Sequence, residues 1–300
     1  MSKPKIVVAL LTKDQHFQAL QAADAERAAL RVGLELEIVY ANNNALLQVE
    51  QLYRFVHAAA GKRPAAILVH AVAVERLARV AHDAAAAGIG WFSLGREAPY
   101  LEGLRAEFPQ LPVAAVATDQ LEIGRIQGRQ LRKLVPAGSR VLYVQGPPET
   151  AAAQLRAKGL EGEIQTARLE LKTLNGDWSE DGGRKAVSSW LRLSSSQTFT
   201  PNAICAQNDA MAIGAYKAFE AERPELLRRP ITGCDGLPEV GQQLVREHKL
   251  AATVVVQSNA GPAVELLDKY LRTGALPSAC VTLSPRAYPK ESDAPVGAES

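Results

Sequence analysis

The residues best suited to chemistry in this chain are polar ones at the ends of short apolar runs. Residues 203–206 end in Gln207-Asn208-Asp209, residues 231–233 lead into Cys234-Asp235-Gly236, and residues 252–256 end in Gln257. Residues 91–94 lead into Gly95-Arg96, and residues 5–11 into a segment carrying Lys13, Asp14, Gln15, His16, Phe17 and Gln18. A carboxylate accepts hydrogen bonds, a guanidinium donates through a planar fork, and an amide does both. Such a set can hold adjacent hydroxyls on one small molecule. Phe17 and Trp178 add flat apolar faces against which a cyclic polyol can stack.

Each of these residues also has a purely structural reading. Asn208 and Asp209 are of the types that cap a following helix. Asp235 before Gly236 suits a turn. Gln257 can be a plain strand-end residue, Trp178 can be packing, and Arg96 can form a surface ion pair.

Other chemistries lack their patterns. His16, His57, His70, His82 and His248 form neither H-x-x-x-H nor H-E-x-x-H, so solvated or core histidines are expected. Cys205, Cys234 and Cys280 include no C-x-x-C pair, and Cys205 and Cys234 read as small buried hydrophobes. No G-x-S-x-G elbow accompanies Ser194-Ser195-Ser196, which reads as a loop. Gly88-x-Gly90 lacks a third glycine and precedes a strand, so it is no dinucleotide fingerprint, and no P-loop occurs. The expectation is a protein without metal or cofactor and without enzymatic activity. With 34 basic and 32 acidic residues, the net charge of +2 gives no support to a nucleic-acid partner.

The elements that position these residues alternate between strand and helix. Strands are expected near 5–11, 34–41, 65–71, 91–94, 113–118, 140–144, 169–174, 203–206, 231–233 and 252–256. Helices are expected near 16–32, 44–60, 75–87, 120–135, 152–166, 180–193, 210–221, 238–248 and 260–271. In the second helix, Leu46, Val49, Tyr53 and Val56 are spaced as one apolar stripe. Repeated βα units imply parallel sheets covered by helices on both faces, and ligands bind beyond the carboxyl ends of such strands. About ten units in 300 residues exceed one ordinary sheet, so two lobes are expected. No apolar run reaches the ~18 residues of a membrane span. The chain enters its first strand at Ile6 with no signal-peptide core before it.

Three stretches carry a resemblance. They are Ala206-Gln207-Asn208-Asp209-Ala210-Met211-Ala212-Ile213-Gly214, then Thr232-Gly233-Cys234-Asp235-Gly236 with the spacing to Gln257, and Gly88-Ile89-Gly90-Trp91-Phe92-Ser93-Leu94-Gly95-Arg96. Over about residues 5–289 the chain resembles type I periplasmic binding proteins of the ribose-binding kind and the effector domains of lactose-repressor-type regulators. The resemblance implies an α/β fold of two doubly wound parallel-sheet lobes joined by a three-crossover hinge. It divides the chain into 1–118 plus 258–283 and 119–257 plus 284–300, with crossovers near Asp119, Gln257 and Leu283.

It also implies ligand contacts at Phe17, Arg96, Arg156, Trp178, Asn208, Asp235 and Gln257, with Gln154 as the alternative to Arg156. Gly95 departs from the family, whose sugar binders usually carry aspartate there. Gln18 stands in place of a second aromatic, and Gln15 where asparagine is common. Residues 97–112 form a longer stretch than the family norm and read as a surface loop.

The function implied is a monomeric solute receptor that closes around a sugar or sugar-like metabolite and serves an ABC transporter permease in the periplasm. A cytoplasmic ligand-sensing effector module without a DNA-binding head is the alternative.

Overall fold

The computed structural model describes residues 3–290 apart from 194. Its order begins β1 (Lys5–Leu10), α1 (His16–Val32), β2 (Glu35–Tyr40), α2 (Ala45–Val56), β3 (Ala66–Val69), α3 (Ala78–Ala86), β4 (Gly90–Gly95), α4 (Leu101–Glu107) and β5 (Val113–Thr118). There follow α5 (Gln120–Leu134), β6 (Arg140–Gln145), α6 (Ala151–Ala167), β7 (Glu170–Asn175), α7 (Glu180–Leu191), α8 (Ser195–Thr198), β8 (Ala203–Ala206) and α9 (Asp209–Glu222). The described order closes with β9 (Ile231–Thr232), α10 (Gly241–Arg246), β10 (Thr253–Val255), α11 (Ala260–Thr273), β11 (Cys280–Leu283) and β12 (Arg286–Tyr288).

These elements form two compact units. The first holds Met1–Thr118 and Ser258–Leu283, the second Asp119–Gln257 and the chain from Ser284 onward. The first unit contains a six-stranded parallel sheet in the order β11-β5-β4-β3-β1-β2. The apolar runs dictate this. Central strands such as Ala66–Val69 are buried along their whole length, whereas edge strand β2 keeps a polar, partly exposed pattern. One face of the sheet packs against α2, α3 and α4 through residues such as Leu52, Val80 and Leu104. The other packs against α1 and α11 through Ala25, Val264 and Leu267.

The second unit repeats the plan with four parallel strands, β7-β6-β8-β9, and a two-stranded antiparallel ladder, β10-β12. Bridges Thr232↔Ala252 and Asp235↔Val255 join the two pieces. Helices α7 and α9 cover one face around Trp190 and Phe219, and α5 with α6 cover the other around Leu131 and Leu160. Strand order reverses beside the first strand of each sheet, between β1 and β3 and between β6 and β8. Such switch points open a crevice at the carboxyl edge.

Some details depart from expectation. The stretch 97–112 is no loop, because it contains α4, whose Leu101 and Leu104 are buried in the core. The apolar stripe of α2 is displaced: Leu46 is 61% exposed, while Gln48 is buried. Gln48 is there for polar reasons, bonding His70 O and Val72 N at 2.9 Å each where β3 ends. The third helix begins as a 3-10 turn at Val74–Leu77, and α10 is shorter than the expected 238–248. Strands β11 and β12 were not expected at all.

Candidate functional site

In the first unit, the carboxyl ends of β1, β3 and β4 bring Phe17, His70 and Arg96 near one another. Phe17 lies in the first turn of α1 and meets the His70 ring edge-on, with centroids 6.5 Å apart and planes at 84°. His70 follows β3 directly, and its backbone N–H donates to Ala9 O at 2.9 Å. Its Nδ1 lies 3.1 Å from Gln18 Nε2, and Gln18 Oε1 accepts from Leu11 N at 3.2 Å. Burial, and then the nearby Arg96 charge, push the imidazole pKa down to about 4. It is therefore neutral at ordinary pH. The Arg96 side chain is 43% exposed and 3.7 Å from the Glu75 carboxylate.

In the second unit, α6 carries Arg156 to the carboxyl edge of the sheet. Helices α5 and α6 touch backbone to backbone: a Cβ on Gly124 would lie 2.0 Å from Arg156 O, and one on Gly159 would lie 2.0 Å from Leu121 O. The close crossing buries Arg156. Its Nε donates to Gln120 Oε1 at 2.8 Å, and its Nη1 donates to Gln207 O. The guanidinium also stands 5.4 Å from the centre of the Trp178 ring, a cation–π distance. Gln154, the alternative, is exposed and donates to Pro148 O at 2.9 Å.

Trp178 is half-buried with φ 70°, a left-handed conformation rare for a bulky residue. Asn208 helps hold it: Nδ2 donates to Trp178 O at 2.9 Å, while Oδ1 caps α9 by accepting from Met211 N at 2.9 Å. Asn208 is thus a cap and a positioning group together. A Cβ on Gly146, at the end of β6, would strike the indole at 2.2 Å.

Asp235 completes this group. It has φ 107°, and its backbone pairs with Val254 and Val256. Among the described residues its carboxylate accepts no hydrogen bond. Loss of hydration pushes its pKa up to about 6, against the pull of Arg156. Gln257 stands apart: it is exposed and donates to Ser284 O at 3.1 Å.

Sequence reasoning placed Gln207 and Asp209 at a strand end, gave Gln207 no role of its own and read Asp209 as a cap, and it read His70 only as a solvated or core histidine. Gln207 is buried. Its Nε2 donates to Ala153 O at 2.9 Å, and its Oε1 accepts from Gly146 N at 2.9 Å. Asp209 does not cap its own helix. It lies under the site, with a pKa raised by burial and then by the Asp235 charge. His70 was findable, since it occupies the strand-end position after β3. Burial also pushes the Cys205 thiol pKa up to about 12. Among the described residues no cluster of three His, Cys, Asp or Glu side chains could hold a metal, and no helix is long and apolar enough to cross a membrane.

Two parallel α/β units, chained by three passes and each presenting polar groups at its sheet's carboxyl edge, define the class of two-unit binding-protein folds. The chain belongs to the family described as periplasmic binding protein domain, whose profile matches residues 6–274. It is similar to the ribose import binding protein of Salmonella typhimurium, 30% identical over 166 residues, and there spans about half the length of the relative it matches (53% of each chain). It is also similar to the Escherichia coli ribose import binding protein, 25% identical over 278 residues covering 91% of this chain and 86% of that one. A solved ABC transporter periplasmic solute-binding protein from Actinobacillus succinogenes with bound D-allose shares the fold, with a TM-score of 0.82, 20% identity, and coverage of 97% and 99%.

Proposed function

We propose that this chain is a solute receptor. It takes up a sugar or closely related polyol through strand-end side chains and delivers it to an ABC-type importer in the periplasm. The observation that carries the reading is Asp235. Its carboxylate is desolvated, lies within the field of Arg156 and has no hydrogen-bond donor among the described residues. A carboxylate so placed gains by accepting bonds from two ligand hydroxyls. Trp178, held by Asn208 and Arg156, offers a rigid face to a sugar ring. Membership of the family, and a relative named for ribose import, support the same reading. Phe17 and Arg96 are assigned to ligand contact from the first unit, and Gln257 to the edge of the site.

A thermal-shift screen of aldoses, furanoses, inositols and sugar acids tests this. A ligand at 100 times its Kd adds about 2.7 kcal/mol to stability. We expect at least one polyol to raise Tm, and Asp235→Ala to abolish that rise while the protein stays folded. A panel without any shift overturns the reading.

A further inference from the structure

His70 has one ring nitrogen committed and one to spare. The Leu11 N–H fixes which end of the Gln18 amide is oxygen, because it must donate to Oε1. The other end, Nε2, therefore faces His70 Nδ1 as a donor at 3.1 Å. Nδ1 must accept, so the proton of the neutral ring sits on Nε2. Among the described residues that N–H has no acceptor.

Its direction is set by Gly95. A Cβ at this position would lie 3.2 Å from His70 Nε2, and φ there is 85°. The imidazole thus takes the space that a side chain at 95 would enter. An aspartate there would present two acceptors; this chain presents an N–H donor instead, at the β1/β3 switch point where a crevice is expected. The neighbouring charge is the Arg96 guanidinium, again donor only, and its partner Glu75 is 81% exposed at 3.7 Å. An exposed pair of this kind is weak and leaves Arg96 able to exchange partners.

We propose that His70 contacts the ligand directly through Nε2–H, and that with Arg96 it selects a sugar acid, whose carboxylate has oxygens without hydrogens, over the neutral aldose. This rests on the receptor reading above and names the ligand class for the first unit's contacts.

Calorimetric titration at pH 7.5 with matched pairs, D-ribose against D-ribonate and D-glucose against D-gluconate and D-glucuronate, tests it. At least one acid is expected to bind about tenfold or more tighter than its aldose, as a charge-assisted bond does relative to a neutral one. His70→Ala should weaken that acid about tenfold, and His70→Asn, which keeps a donor, should weaken it less. The double variant His70→Ala/Gly95→Asp should reverse the preference toward the aldose, a gain that unfolding cannot imitate. If aldoses bind more tightly than every acid, or if His70→Ala leaves acid affinity unchanged, this inference is overturned while the receptor reading stands. If none of these aldoses and acids binds, this inference falls, and the receptor reading falls with it only when the wider thermal-shift panel also shows no shift.

Discussion

The carboxylate of Asp209 accepts a hydrogen bond from the backbone N–H of Gly236 at 2.7 Å, and its other oxygen accepts from the Thr253 hydroxyl at 2.7 Å. One buried side chain thereby ties the start of α9 to the turn after Asp235 and to β10. Asp209→Ala leaves a buried N–H unpaired and should cost about 2–4 kcal/mol in urea unfolding. Asp209→Asn keeps an acceptor for Gly236 and can donate to the Thr253 oxygen, so most of the stability should remain. Equal losses in the two variants would refute this assignment.

Asp235 gives the second unit an unusual pH response. Its folded pKa, about 6, lies above the ordinary value of 3.8. The folded state therefore binds the proton more tightly than the unfolded state. This contribution is complete below about pH 3.8 and is lost as pH rises through 6. Between pH 7 and 5 it should add about 1 kcal/mol to the stability of the ligand-free protein. Asp235→Asn should flatten that slope. Sugar affinity should move the other way, weakening below pH 6 as the carboxylate acceptor is protonated, and calorimetry at pH 5 and 7.5 reads it.

His70 imposes the opposite slope on the first unit. Its folded pKa, about 4, lies below the ordinary 6.5. The stability tied to the neutral ring is present above 6.5 and lost as pH falls through 4. From pH 7 to 5 the loss is about 2 kcal/mol. Hydrogen exchange separates the two effects: amides of β3 and β4 should lose protection at pH 5 while those of β8 and β9 gain it. His70→Asn should remove only the first change. A common direction in both sheets would contradict the assignment.

The fold was legible where burial is two-sided. Runs such as Ile67–Leu68–Val69 and Ile204–Cys205 have apolar residues on both faces because the sheets are covered on both, and those strands stand near their expected places. Short or partly exposed strands leave no such run, so β11 and β12 were invisible. Asp235 and Trp178 could be singled out in the sequence, but their positive φ values could not be foreseen, since neither residue advertises a left-handed backbone. Gln48 was hidden for another reason. A polar side chain that satisfies strand-end backbone groups looks, in sequence, like any solvated residue.

The crossing of α5 and α6 sets the position of Arg156, so a packing change there should be felt at the site. A Cβ on Gly159 would meet Leu121 O at 2.0 Å and Arg125 N at 3.1 Å, both backbone atoms that cannot swing aside. Gly159→Ala must push the helices apart, at about 1–3 kcal/mol or more. Arg156 lies one turn earlier on α6 and would move with it, losing its bonds to Gln120 and Gln207. We expect reduced Tm and a loss of sugar affinity larger than the stability loss alone explains. Gly162→Ala on the same helix meets nothing within 4 Å and serves as the control. If both variants bind alike, the crossing does not control Arg156.

Asn208 permits its two tasks to be separated. Its Oδ1 caps α9 through Met211 N, and its Nδ2 holds the Trp178 carbonyl. Asn208→Ala loses both and should cost about 1 kcal/mol for the cap alone. Asn208→Asp keeps an acceptor of equal capping quality, with a negative charge at a helix N-terminus where it is favourable. It has no donor for Trp178 O and sets a carboxylate oxygen against that carbonyl. The backbone of Trp178, already at φ 70°, then loses a restraint that offsets its unfavourable conformation. Stability measured by urea unfolding should therefore separate Asn208→Ala from Asn208→Asp in favour of Asp. Sugar affinity should fall in both, by about tenfold, because the stacking face is no longer fixed. Normal affinity in Asn208→Asp would show that the Trp178 carbonyl bond does not position the ring, and that Asn208 serves α9 alone.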